Sequence, residues 1–177
     1  MTADFELSHD ELRAVVRFVA QTAEDLLPVF ERAQPGDHRP RAAVAAAWDF
    51  VDGAPHSKRL RVASMDAHRA AGAAPDEPAR LAAQAAGDAA SAAYLHPISK
   101  EHQVAHILRA AANAARIAEI EADAVAAEKA IELACSRATP AVVGVLRRYP
   151  PPSPGRRRVT ELMAEVDFRL RSTGLGS

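Results

Sequence analysis

Ser99-Lys100-Glu101-His102-Gln103-Val104-Ala105-His106-Ile107-Leu108-Arg109-Ala110-Ala111-Ala112-Asn113-Ala114-Ala115-Arg116-Ile117-Ala118-Glu119 carries the clearest periodicity in the chain. At the helical step of about 100° per residue, Val104, Ile107, Leu108, Ala111, Ala115 and Ala118 fall on one side, while His102, His106, Arg109, Asn113 and Arg116 gather within about 80° on the other. Ser99 is the natural cap for this helix, because the His96-Pro97 pair before it pushes the backbone out of the helical region. The polar stripe holds imidazoles and cations but no carboxylate. It predicts either an anion-accepting groove or acidic partners on neighbouring helices, such as Asp88 or Asp49.

The same pattern extends in both directions. Ser8-His9-Asp10-Glu11 reads as a capping box that opens a first helix carrying Leu12, Val15, Val16, Val19, Ala23 and Leu26, with Pro28 bending or ending it. A breaker-rich loop over residues 34–40 leads to a second helix that begins near Arg39 and stops at Gly53, with Val44, Ala47, Trp48 and Val51 inside. Pro55 suits the first turn of a third helix bearing Leu60, Ala63, Ala67, Ala70 and Ala74. A fourth runs over residues 78–94 and a sixth over 123–138. Thr139-Pro140 opens a short seventh ending at Tyr149, and an eighth covers 156–171 with Val159, Leu162, Met163, Val166 and Leu170 buried.

Composition agrees. Of 177 residues 49% are hydrophobic, but 42 are alanine and only 5% are aromatic, which favours helices over strands. The expectation is an all-α, single-domain bundle of seven to eight antiparallel helices spanning residues 1–177, with short flexible ends at 1–7 and 172–177. Alanine faces allow helix axes to approach toward the near end of the usual range of about 8–10 Å. No apolar run approaches the roughly 18 residues a membrane span needs, and the polar N-terminus carries no signal segment, so a cytoplasmic protein is expected. The lone Cys135 reads as a small packed side chain. The formal charge of -1 hides an asymmetry: residues 1–52 carry 10 acidic and 5 basic groups, and residues 137–177 carry 3 acidic and 8 basic. These ends either attract each other across the bundle, or the acidic N-terminal surface docks a basic protein partner.

Chemical motifs are sparse. His102 and His106, four apart on a helix, place two imidazoles on one face, but a zinc site needs three or four protein ligands, and His68 or His96 would have to supply them. Arg156-Arg157-Arg158 with Arg147-Arg148 lacks interleaved aromatics and an overall basic field, which argues against nucleic acid. No phosphate-binding glycine loop, nucleophile elbow or Cys-x-x-Cys is present, so no catalytic residue and no cofactor is assigned.

Four segments together resemble a bacterial family. They are Asp37-His38-Arg39-Pro40-Arg41-Ala42-Ala43-Val44, Ala67-His68-Arg69-Ala70-Ala71, Ala85-Ala86-Gly87-Asp88-Ala89-Ala90-Ser91-Ala92-Ala93-Tyr94-Leu95-His96-Pro97, and the stretch from His102 to Arg116. The succession is similar to the immunity-protein-five-like family of polymorphic-toxin systems, over residues 8–171. The resemblance implies an all-helical protein that binds a cognate toxin and blocks it by occlusion, without catalysis. The polar stripe and these segments together supply Arg39, Arg41, His68, Arg69, Asp88, His96, His102, His106, Arg109 and Asn113 as candidate binding residues. Two other readings of the residues stay open: a metal- or anion-dependent small-molecule binder or hydrolase using His102, His106 and Arg109, and a self-associating helical protein, such as a homodimer.

Overall fold

A computed structural model describes residues 5–174, and its secondary structure is entirely helical. Eight α-helices follow one another: α1 (His9–Ala33), α2 (Arg39–Val51), α3 (Lys58–Gly72), α4 (Glu77–Ser91), α5 (Ala105–Glu121), α6 (Ala124–Ser136), α7 (Pro140–Leu146) and α8 (Arg158–Ser172). Two 3-10 turns, Ala92–Tyr94 and Glu101–Val104, lie between α4 and α5.

The helix starts follow local chemistry. At α1 the capping box is complete: Glu11 N–H donates to Ser8 Oγ at 3.1 Å, and Ser8 N–H donates to Glu11 Oε2 at 2.9 Å. Asp76, Asp123 and Thr139 cap α4, α6 and α7 through their side chains. After α2 the chain reverses at Gly53, whose φ of 111° favours a residue without a β-carbon.

Four boundary expectations are corrected. Pro28 does not end the first helix, which continues to Ala33; Pro28 and Glu24, whose carbonyl loses its intrahelical donor, both face solvent. Pro55 is not in the first turn of α3. Ser57 caps that helix by accepting from Leu60 N–H at 3.1 Å, and His56 is anchored by a 2.6 Å contact between Nε2 and the Ala93 carbonyl. The fourth helix loses α geometry after Ser91 and finishes as a 3-10 turn. Ser99 does not cap the fifth. Gln103 folds back to accept from His96 N–H at 3.0 Å, and the chain enters α5 through the 3-10 turn that starts at Glu101.

The alanine-rich α4 sits in the middle, packed against α1, α2, α3 and α5. From Ala79 to Ala90 all but Arg80 and Gln84 are buried, as expected of a helix surrounded by others. α5 forms the second hub, touching α1, α4, α6 and α8, and α7 closes against α1 and α8. One hydrophobic cluster draws side chains from all eight helices, from Val15 and Phe30 through Leu81, Ile107 and Leu108 to Leu146 and Leu170.

The segment around α1 meets the segment around α7. The Phe5 ring stands edge-on to Tyr149 with centroids 4.9 Å apart, and Phe5 N–H donates to the Pro97 carbonyl at 3.2 Å. Arg148 pairs with Glu11 and also donates to the Glu6 carbonyl at 2.9 Å, while Arg137 reaches Asp25 at 2.7 Å. Part of the opposed charge of the two ends is thus satisfied within the molecule. Residues 1–4 and 175–177 of the expected loose ends lie outside the described residues. Among the described residues no helix is long and apolar enough to cross a membrane.

Candidate functional site

The polar stripe of α5 faces α4, and the missing acid is there. Asp88, fully buried, receives Arg109 Nε on Oδ2 at 2.7 Å and Arg109 Nη2 on Oδ1 at 2.6 Å. This two-pronged geometry is the strong form of a carboxylate–guanidinium pair. Burial works against the Arg109 charge, but the hydrogen bonds and charge of Asp88 outweigh it and hold the guanidinium above its ordinary range. Asp49, the other acid considered as a partner, instead pairs with Arg59.

Two imidazoles flank the pair. From α3, His68 Nε2 lies 3.5 Å from Asp88 Oδ1; from α5, His106 Nδ1 lies 3.3 Å from Ser91 Oγ, whose hydroxyl also contacts the Asp88 carbonyl at 3.2 Å. Burial lowers the pKa of both histidines. The Asp88 charge opposes that shift in each, and Arg109 reinforces it. The Ser91–His106 contact does not grow into a nucleophile–base–acid relay. Both Asp88 oxygens are taken by Arg109, and among the described residues no hydrogen bond joins Asp88 to His106.

One turn further along, Asn113 is buried and donates to the Leu81 carbonyl at 3.0 Å and to Gln84 Oε1 at 2.9 Å, leaving its own Oδ1 without a partner. Arg116 then binds Glu77 at 3.2 Å and Glu119 at 2.7 Å.

Of the candidate residues, the structure therefore brings His68, Asp88, His106 and Arg109 together and places Asn113 on the same seam. The others lie apart. Arg39 grips Asp37, Arg41 grips Glu31 and Arg69 pairs with Asp66, each near the surface. His96 and His102 are exposed; the backbone carbonyl of His96 accepts the Tyr149 hydroxyl at 2.7 Å. Among the described residues no group of three or more His, Cys, Asp or Glu side chains is placed to hold a metal. Cys135 is half-buried, and burial pushes its thiol pKa up, away from reactivity.

Sequence reasoning missed Gly87, Ser64 and Ser91. A β-carbon on Gly87 would come within 2.7 Å of the His68 ring, so glycine is what lets the imidazole lie across α4. Ser64 Oγ donates to the Gly87 carbonyl at 3.0 Å and ties α3 to the same spot. The available signal was a glycine inside an alanine-rich helix, where it costs about 1 kcal/mol unless something needs the space.

Beside the cluster, α4, α5 and the start of α8 enclose a cleft of about 540 Å³. Among the described residues its walls carry Arg80, Arg109, Arg116, Arg157 and Arg158 against the single carboxylate Glu77, with Gln84, Thr160 and Met163 among the rest and no aromatic ring.

Fold and site thus define an all-helical protein whose most buried polar groups clamp helices together. Residues 6–140 match the family model described as Imm-5 like putative immunity protein, and the chain belongs to that family. The match stops at the start of α7, so α8 lies beyond it. Comparisons with curated proteins and with solved structures gave no match.

Proposed function

We propose that this protein neutralises a cognate bacterial toxin by binding it and covering its working surface, without a catalytic step. The family match over residues 6–140 carries this reading. The geometry supports it, because the side chains best suited to chemistry are directed at each other. Arg109 is spent on Asp88, and the two imidazoles are disfavoured from charging. Such a cluster stiffens a scaffold. A rigid scaffold is what occlusion uses, since a binder that need not order itself loses less free energy on association. Exposed candidates such as Arg41, Arg69, His96 and His102 remain within reach of a partner.

The test is co-expression with each toxin domain found encoded in the genes neighbouring this chain's. Restored growth, and co-elution of the two proteins as one complex in size-exclusion chromatography, is the expected result. Undiminished killing by every adjacent toxin overturns the proposal.

A further inference from the structure

We propose that the arginine-walled cleft between α4, α5 and α8 is an interaction surface that receives an acidic segment of a partner protein. The cleft's arginines divide into two sets. Arg109, Arg116 and Arg158 are held by Asp88, Glu77, Glu119 and Glu161. Arg80 on the α4 wall and Arg157 at the start of α8 have no carboxylate within ion-pairing distance among the described residues, and both are exposed. The paired set shapes the walls, while Arg80 and Arg157 are left to meet an incoming negative charge. The same mouth receives the N-terminus of α8, which has no side-chain cap. Its first-turn N–H groups add to the positive field beside Arg157.

The size and lining of the cleft narrow the occupant. A volume of about 540 Å³ admits a few side chains rather than a globular surface. No aromatic ring lines it, so a nucleotide base would find nothing to stack on, whereas Asp or Glu carboxylates find guanidinium groups suited to forked hydrogen bonds. The choice of a protein partner rests on the function proposed above. Within that reading, the cleft supplies a contact whose α8 wall lies outside the stretch shared with the family, as a toxin-specific contact would require.

The probe is a fluorescein-labelled hexaglutamate peptide, read by fluorescence anisotropy at low salt, with hexalysine and inorganic phosphate as comparisons. The expected result is saturable binding of hexaglutamate, no binding of hexalysine, and an affinity at least tenfold weaker in Arg80→Ala/Arg157→Ala. Arg17→Ala/Arg61→Ala, which removes the same charge elsewhere, should bind like the wild type. Equal affinity in Arg80→Ala/Arg157→Ala, or an equal loss in Arg17→Ala/Arg61→Ala, overturns the proposal. So does displacement of the peptide by an equimolar concentration of phosphate, which would mark a small-anion site. Circular dichroism confirms that each variant folds. The co-expression assay separates the two proposals. Rescue by the wild type and equally by Arg80→Ala/Arg157→Ala sinks the cleft and leaves immunity standing, whereas failure of the wild type sinks immunity while the peptide measurement still decides the cleft.

Discussion

Replacing Gly87 by alanine tests how tightly α3 and α4 are fitted around Asp88. Two effects oppose each other. Inside a helix, alanine is favoured over glycine by about 1 kcal/mol. Against this, the new β-carbon would stand 2.7 Å from the His68 ring, closer than packed carbon atoms allow. Overpacking of this kind costs roughly 1–3 kcal/mol, and the low end applies because the His68 side chain is 35% exposed and can swing toward water. In the wild-type background the expected net change is a loss of about 0–1 kcal/mol. In a His68→Ala background the obstacle is gone, and the same substitution should stabilise by about 1 kcal/mol. The sign therefore reverses, with a coupling of about 1–2 kcal/mol between two positions in contact. Urea unfolding followed by the fluorescence of Trp48, the single tryptophan, reads all four proteins of the cycle. Gly87→Ala should also move the His68 pKa upward toward the ordinary imidazole value, because the displaced ring is no longer desolvated. An identical stability change in both backgrounds would show that the ring does not press on Gly87 and would refute the reasoning.

Two further predictions concern the same cluster. Arg109→Ala leaves a fully buried carboxylate without its cation and should cost about 3 kcal/mol, the low end of the range for broken buried pairs because Arg109 keeps 28% exposure; a loss below about 1 kcal/mol, typical of surface pairs, would mean the pair is effectively solvated. Stability should also fall on acidification: His68 and His106 have folded-state pKa values depressed by burial, so below the unfolded imidazole value the unfolded chain binds more protons and is favoured. A His68→Gln/His106→Gln variant should lose less stability than the wild type between pH 7 and pH 5, and parallel curves in urea titrations at the two pH values would exclude these imidazoles as the source.

The fold was legible because alanine spacing and caps act locally. Ser8 and Glu11 sit three residues apart and complete their box without help from the rest of the chain. Two of the boundary errors arose where a contact that periodicity does not encode intervened. Ser57 outcompeted Pro55 for the start of α3 once His56 was held by Ala93, 37 residues away. Gln103 displaced the expected Ser99 cap by turning back to His96. The site shows the same division. A carboxylate-free stripe on α5 announced that an acid was needed, and Asp88 was one of two named possibilities. Periodicity could not show that α3 also reaches this point through His68, because the only local trace was a single glycine among alanines.

The arrangement separates what holds the molecule together from what can meet a partner. Asp88, Arg109 and Asn113 join α4 to α5, and His68 and Ser64 join α3 to α4, with Asp88, Asn113 and Ser64 buried. Substitutions of Asp88, Asn113, His68 and Ser64 act on stability, and on binding only through the fraction of chain that remains folded, whereas Arg109 also lines the cleft. Among the described residues Arg80 and Arg157 have no ion pair to break, so removing them leaves the scaffold's connections intact and changes the field in the cleft. A charge that contributes mainly through such a field is screened by salt over about 8 Å at physiological ionic strength. Toxin or peptide binding through the cleft should therefore weaken as salt rises while the unfolding midpoint of the wild type stays nearly constant. If affinity and stability instead fall together with salt, the arginines of the cleft belong to the scaffold and not to the interface.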